Sequence, residues 1–144
     1  MILTKRQAII AEARKYLGAP YSHFGRTKQG IDCIGLVIVV GQANGLVPAD
    51  LQCPPYQRSS LPHLMDVLWQ YVDPIEIADV QPGDCYLLCH DVTKNRRPRH
   101  VGFASETGLI WLSWNPTIER VVEQRIPDEI RAAIVGAFRF KGLA

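Results

Sequence analysis

Cys33 stands between a carboxylate and an unbroken apolar run, Gly30-Ile31-Asp32-Cys33-Ile34-Gly35-Leu36-Val37-Ile38-Val39-Val40, so one segment holds both a reactive side chain and a stretch of core. Far along the chain, Arg99-His100-Val101-Gly102 sets a histidine at the mouth of a second apolar segment. A thiol and an imidazole brought together can perform nucleophilic catalysis. The imidazole takes the thiol proton, the sulfur attacks a carbonyl carbon, and the imidazolium protonates the leaving group. At the first turn of a helix, Cys33 would also meet unpaired backbone N–H groups and the positive end of the helix dipole. Both lower a thiol pKa from its free value of about 8.5, and the N–H groups can bind an oxyanion. Asp32 opposes that effect, so its carboxylate is expected to be occupied as the helix N-cap. From the residue types alone, a buried structural thiol remains the plain alternative.

The elements that would position these groups follow from pattern. Thr4 is an N-cap, and Ile9, Ile10, Ala13, Tyr16 and Leu17 recur at helical spacing, which predicts a helix over 5–17 stopped by Gly18. Residues 19–30 are polar and glycine-bearing and read as a loop feeding Cys33. The run 34–40 is ambiguous: the β-branched residues Val37 to Val40 favour a strand. Asp32 as cap and the return at Gly41-Gln42-Ala43-Asn44-Gly45 favour a buried helix over 33–44, and the length of the run tips the balance to helix. Gly35, one turn in, would let another element approach closely.

Pro48, Pro54, Pro55 and Pro62 mark 47–62 as a loop, and a loop of this length in a compact domain is commonly functional. Leu64, Val67, Leu68 and Tyr71 predict a helix over 61–71, with His63 as a surface or capping residue. Strands are expected at 75–77, 85–89, 100–105, 109–114, around 121–122, and at 133–140. Helices first and strands afterwards indicate an α+β fold, with N-terminal helices packed on an antiparallel sheet in a single domain over 1–144.

Composition narrows the classes. The chain has 144 residues, 47% hydrophobic and 21% charged, with a formal charge of +2, ordinary values for a globular domain and too mild to argue for nucleic acid. Lys94-Asn95-Arg96-Arg97-Pro98-Arg99 reads as a solvated loop between strands, with contact to an anionic group as the alternative. No apolar run reaches the roughly 18 residues that span a bilayer, so no membrane partner is expected. Met1 to Arg6 carries no secretion signal, so the expectation is cytoplasmic synthesis. Cys33, Cys53, Cys85 and Cys89 lack zinc spacing, and Cys85 and Cys89 in one strand would lie roughly 13 Å apart, beyond disulfide reach. No metal or other cofactor is expected, and those two thiols read as core.

Four motifs in order, Tyr16-Leu17-Gly18-Ala19-Pro20-Tyr21, Asp32-Cys33-Ile34-Gly35-Leu36-Val37, Gln81-Pro82-Gly83-Asp84 and His100-Val101-Gly102-Phe103, resemble the NlpC-type papain-like cysteine peptidases over most of the chain. Ile34 after the cysteine, with the absent secretion signal, resembles the short versions encoded among bacteriophage tail genes. The resemblance implies a papain-like core with the cysteine on a helix packed against a sheet that carries the histidine, and it favours helix over 34–40. It implies hydrolysis of amide bonds in peptidoglycan stem peptides, typically γ-D-glutamyl to a diamino acid. By position, Cys33 matches the nucleophile and His100 the general base and acid. Tyr21 matches the tyrosine near the oxyanion site, and Asp32 a residue also placed to meet the substrate amine.

Two positions depart from that pattern. The family's third polar residue, which orients the imidazole, aligns with Leu112, whose side chain cannot hydrogen-bond. Ser113 is the candidate substitute, with Asn115 beyond it, although a one-residue shift reverses the face of a strand. The serine that follows the nucleophile in the family is Ile34 here. A Cys–His pair can still work with its imidazole held by packing or by a backbone carbonyl. Three readings follow: a cell-wall endopeptidase, incorporated in a phage tail; a structural tail-assembly module on the same fold, binding tail proteins through the proline-rich loop; or another acyl transfer on this scaffold. His23 and His90 read as loop residues without a catalytic task.

Overall fold

The structure is a computed structural model that describes residues 2–56 and 61–143, side chains of 61–64 excepted; the proposed capping role of His63 and residues 57–60 of the proline-rich segment lie outside the described residues. Thr4 caps α1 (Lys5–Arg14): its hydroxyl accepts the Gln7 N–H while the Gln7 side chain accepts the Thr4 N–H, so two otherwise orphaned donors are satisfied. Regular helix ends three residues before the expected Leu17. From Lys15 the backbone bonds tighten to residues three apart, and the chain turns at Gly18 with φ +88°. The apolar spacing continues through this turn because Tyr16 still packs on the core, which is why the pattern alone overran the helix.

A two-residue hairpin, β1 (Arg26–Thr27) and β2 (Gly30–Ile31), occupies the expected loop; two pairs are too few to leave an alternating pattern. Then comes α2 (Cys33–Ala43), capped by Asp32 and closed at Asn44, with Ile34, Leu36, Val37, Ile38 and Val40 all buried. This settles the 34–40 ambiguity as helix: an element buried on almost every side can accept β-branched residues, because packing outweighs their small propensity penalty.

After α3 (Leu61–Leu68), the expected strand at 75–77 is displaced. The strand β3 is Val72–Ile75, and Ile77–Asp79 forms a 3₁₀ turn. Pro74 has no N–H to give, and β3 lies at the edge of the sheet, where a missing donor is tolerated. The remaining strands are β4 (Cys85–Cys89), β5 (Pro98–Ala104), β6 (Leu109–Leu112), β7 (Val121–Gln124) and β8 (Ile134–Phe140), with a short α4 (Asp128–Ala133) leading into β8. They form one six-stranded sheet, order β3-β8-β4-β5-β6-β7, antiparallel at every junction. The fold is α+β, as expected.

The sheet buries both faces, and strand alternation divides its side chains between them. Leu87, Ile110 and Leu112 turn toward the main core with α1 and α2, whereas Leu88, Leu109 and Trp111 turn to a smaller cluster with Ile130 of α4. Cys85 and Cys89 are both fully buried, consistent with core thiols. Asp84, wholly buried, joins the layers: Arg6 of α1 reaches its carboxylate at 3.0 Å and Arg139 of β8 clasps both oxygens at 3.0 Å.

Replacing Asp84 with alanine would leave two guanidiniums facing each other without their shared counter-charge. The expected loss is about 3 kcal/mol in urea-unfolding free energy. A loss below about 1 kcal/mol would show that the clasp is no stronger than a surface ion pair.

Candidate active site

The residue before Cys33 organises its surroundings. Asp32 is 4% exposed, and donors fill both of its oxygens. Oδ1 accepts the Gly35 N–H at 2.8 Å, the helix cap, and Arg26 Nη1 at 3.0 Å. Oδ2 accepts the Phe24 N–H at 3.0 Å and the Tyr56 hydroxyl, the latter in a very short bond. Phe24 is held at φ +64°, a strained backbone for a non-glycine residue, which brings its N–H to the carboxylate. Gly35 has no room for a side chain. A Cβ there would lie 2.6 Å from the Gly25 carbonyl oxygen, 2.7 Å from Arg26 Nη1 and 2.8 Å from Asp32 Oδ1. The close approach expected at Gly35 is the one that seats Arg26.

Cys33 therefore begins α2 directly beside a packed anion. The backbone N–H groups of Val101, Ile34 and Cys33 itself favour its thiolate, but enclosure of the sulfur and then the charge of Asp32 outweigh them, and the thiol is pushed up to about 12. This corrects the expectation of a depressed thiol pKa. The helix start does supply N–H groups, yet the same cap that creates them brings a carboxylate, and the surrounding core removes solvation. Both effects favour the neutral form of the Cys33 thiol.

His100 lies on β5, its ring against Trp111 and Trp114 with centroids 5.2 and 5.8 Å away. Its Nε2 is 2.6 Å from the backbone carbonyl oxygen of Leu112. A carbonyl can only accept, so Nε2 carries a proton and Nδ1 of the neutral ring carries the lone pair. The orienting position thus falls on Leu112 after all, through its main chain. Ser113 is 6% exposed, and its Oγ accepts the Asn115 N–H at 3.3 Å. Any residue type supplies a carbonyl, which is why side-chain reasoning could not find it.

Cys33, His100, Tyr21 and Asp32 line one open groove of about 680 Å³, so the residues singled out in sequence do come together. Tyr21 bridges to Ile31 in parallel fashion and donates its backbone N–H to the Glu119 carbonyl at 2.9 Å. His23 and Tyr56 line it as well; with Phe24 their rings pack at centroid distances of 4.2 to 5.2 Å, and the Tyr56 carbonyl lies 2.8 Å from His23 Nε2. His90, Asp91, Lys94, Asn95 and Arg99 also line it, so the basic segment between β4 and β5 borders the groove as well as solvent. Arg26 and Tyr56 carried no motif signal. Only the length and proline content of 47–62 marked the segment that delivers Tyr56.

No family model matches the chain. Against curated proteins, 105 residues are 30% identical to probable endopeptidases of Mycobacterium tuberculosis and Mycobacterium bovis. That match covers 73% of this chain and 22% of the relatives' length. Among solved structures, the NlpC/p60 domain of the peptidoglycan hydrolase SagA superposes with a TM-score of 0.60 at 21% identity, over 94% of this chain and 97% of that one. An NlpC/P60 family protein of Bacillus cereus gives 0.68 at 21% identity, over 96% of this chain and 40% of that one. A lipoprotein-like NLP/P60 protein of Staphylococcus aureus gives 0.63 at 20% identity, over 94% and 41%. The chain has the papain-like α+β fold of the NlpC/p60 domains, as the four motifs implied.

Three outcomes follow from the site. Iodoacetamide labelling of Cys33, followed by mass spectrometry, should be slow at pH 7 and should rise only well above the free-thiol value of about 8.5. An apparent pKa below that value would mean a preformed thiolate–imidazolium pair instead. The same shift makes the folded state lose stability as pH rises from about 8.5, where the unfolded thiol ionises, through the folded value. Ser113→Ala should leave turnover within about twofold, whereas a hundredfold loss, the scale of a general-base contribution, would return the orienting role to Ser113.

Proposed function

We propose that this chain is a cysteine peptidase that hydrolyses an amide bond in peptidoglycan stem peptides, of the γ-D-glutamyl to diamino acid type. The observation that carries this reading is the bond from His100 Nε2 to the Leu112 carbonyl. It selects the tautomer whose Nδ1 can accept a proton in the groove that also holds Cys33. His100 Nδ1 takes the Cys33 proton as Sγ bonds to the substrate carbonyl carbon, and the oxyanion forms within reach of the α2 backbone N–H groups and Tyr21. The imidazolium then gives its proton to the departing amine as the C–N bond breaks, leaving a thioester on Cys33. Water, losing a proton to Nδ1, attacks that thioester and returns the free thiol and a carboxylic acid. No external oxidant, reductant or metal is needed for these steps.

A neutral resting thiol suits this sequence, because a base that collects the proton during attack does not depend on a standing thiolate. The similarity to a peptidoglycan hydrolase domain and to probable endopeptidases supports the substrate class. Placement at a phage tail is part of the proposal and rests on the resemblance of Asp32-Cys33-Ile34 to the short tail-encoded versions.

Purified protein incubated with muropeptides should release products cut at the γ-D-glutamyl bond, read by mass spectrometry. Cys33→Ala and His100→Ala should each abolish release while the melting temperature stays within a few degrees. Tyr21→Phe should lower kcat by about tenfold or more if its hydroxyl meets the oxyanion. Full activity in either the Cys33 or the His100 variant would sink the assignment.

A further inference from the structure

Arg99 reaches the groove because the sheet departs from regular pairing beside His100. Leu88 pairs with His100 but Cys89 pairs with Pro98, so Arg99 is an extra residue of β5 with no partner opposite it on β4. In a regular strand neighbouring side chains point to opposite faces, and Arg99 would turn away from a site that holds His100. A bulge bends the strand and re-aims the side chain. Arg99 and His100 accordingly both line the groove, each half-buried. The loop before β5 adds a second cation. Asp91 closes that loop on itself: its Oδ1 accepts the Thr93 N–H at 2.9 Å and the Thr93 hydroxyl at 2.6 Å, and its carbonyl accepts the Lys94 N–H at 3.2 Å. The turn so formed sets Lys94 at the groove together with Arg99. Of the other carboxylates lining the groove, Asp32 is matched by Arg26, and Glu119 belongs to the segment whose main-chain carbonyl receives the Tyr21 N–H.

In the reaction proposed above, His100 gives its proton to the departing amine, so the leaving half of the substrate must lie against the imidazole. Arg99 is the adjoining residue, and a guanidinium matches a carboxylate with two parallel N–H bonds. We propose that Arg99, assisted by Lys94, forms a carboxylate subsite for the leaving half of the substrate and so determines which leaving groups are cut. This inference rests on the peptidase reading and deepens it. A leaving diamino acid can carry the carboxylate in two places, on its main chain when the peptide ends there, or at the end of its side chain. Both present the same anion to Arg99.

The test uses three peptides with one scissile bond, L-Ala-γ-D-Glu joined to lysine amide, to lysine with a free main-chain carboxylate, or to diaminopimelic acid amidated on its main chain. The first has no carboxylate on its leaving half, the second only a main-chain one and the third only a side-chain one. Wild-type protein should cut the second or the third with a kcat/KM about tenfold or more above the first, and the favoured peptide identifies the source of the anion. Arg99→Gln should reduce that advantage by about tenfold, Arg99→Lys should retain part of it, and Lys94→Gln should reduce it by a smaller factor. A merely structural role for the bulge residue would lower all three rates in proportion and leave their ratios unmoved. Where Arg99→Gln fails to fold, the wild-type ratios decide: the advantage should shrink between about 0.05 M and about 0.5 M sodium chloride, because salt screens an ion pair at an open groove. Equal cleavage of the three peptides by wild-type protein overturns this inference and leaves the peptidase reading standing. Cleavage of none overturns both, and an advantage that Arg99→Gln or salt leaves intact overturns the role given to Arg99.

Discussion

The structure of the site depends on one buried carboxylate that must find four donors. Asp32 is almost wholly enclosed, and an ionised group so placed is tolerated only when its oxygens are hydrogen-bonded and its charge is matched. Meeting that demand draws in the cap of α2, the β1 arginine, the strained backbone at Phe24 and the tyrosine within the proline-rich segment. Four segments separated in the chain are thus tied to the residue next to Cys33. The absence of a side chain at Gly35 is what allows the arginine to come so near.

The same carboxylate sets the chemistry of its neighbour. A cysteine at a helix start is commonly discussed as an activated thiolate, but here enclosure and the adjacent anion act against ionisation more strongly than three backbone N–H groups act for it. The His100 ring is wedged beside two tryptophans and fixed through Nε2 by a main-chain oxygen. A backbone acceptor cannot titrate, so the tautomer it selects holds across the whole pH range in which the imidazole is neutral. The position to which the resemblance gives a polar side chain can therefore be leucine without leaving the ring unoriented, and the Leu112 side chain is put to use in the core.

The groove joins these two halves. On one side stand the aromatic rings gathered by Tyr56, and on the other a polar, partly basic border from the turn between β4 and β5. The turn is solvated, as its composition suggests, and residues of it also line the groove.

By itself the sequence determined the parts that depend on local pattern: the Thr4 and Asp32 caps, a buried helix begun by Cys33, the antiparallel strands around His100, and the order of motifs that identifies the fold. These are legible because capping, periodicity and turn chemistry act over a few residues. Boundaries moved where packing outlasted hydrogen bonding, as after Arg14, or where an edge position tolerated Pro74. Only the tertiary structure decided that the Leu112 carbonyl holds His100, that Arg26 and Tyr56 saturate Asp32, and that the Cys33 thiol rises instead of falling. Main-chain acceptors carry no residue code, long-range donors leave no spacing, and a pKa is set by the sum of solvation and charge around an atom. None of these quantities exists until the chain has closed on itself.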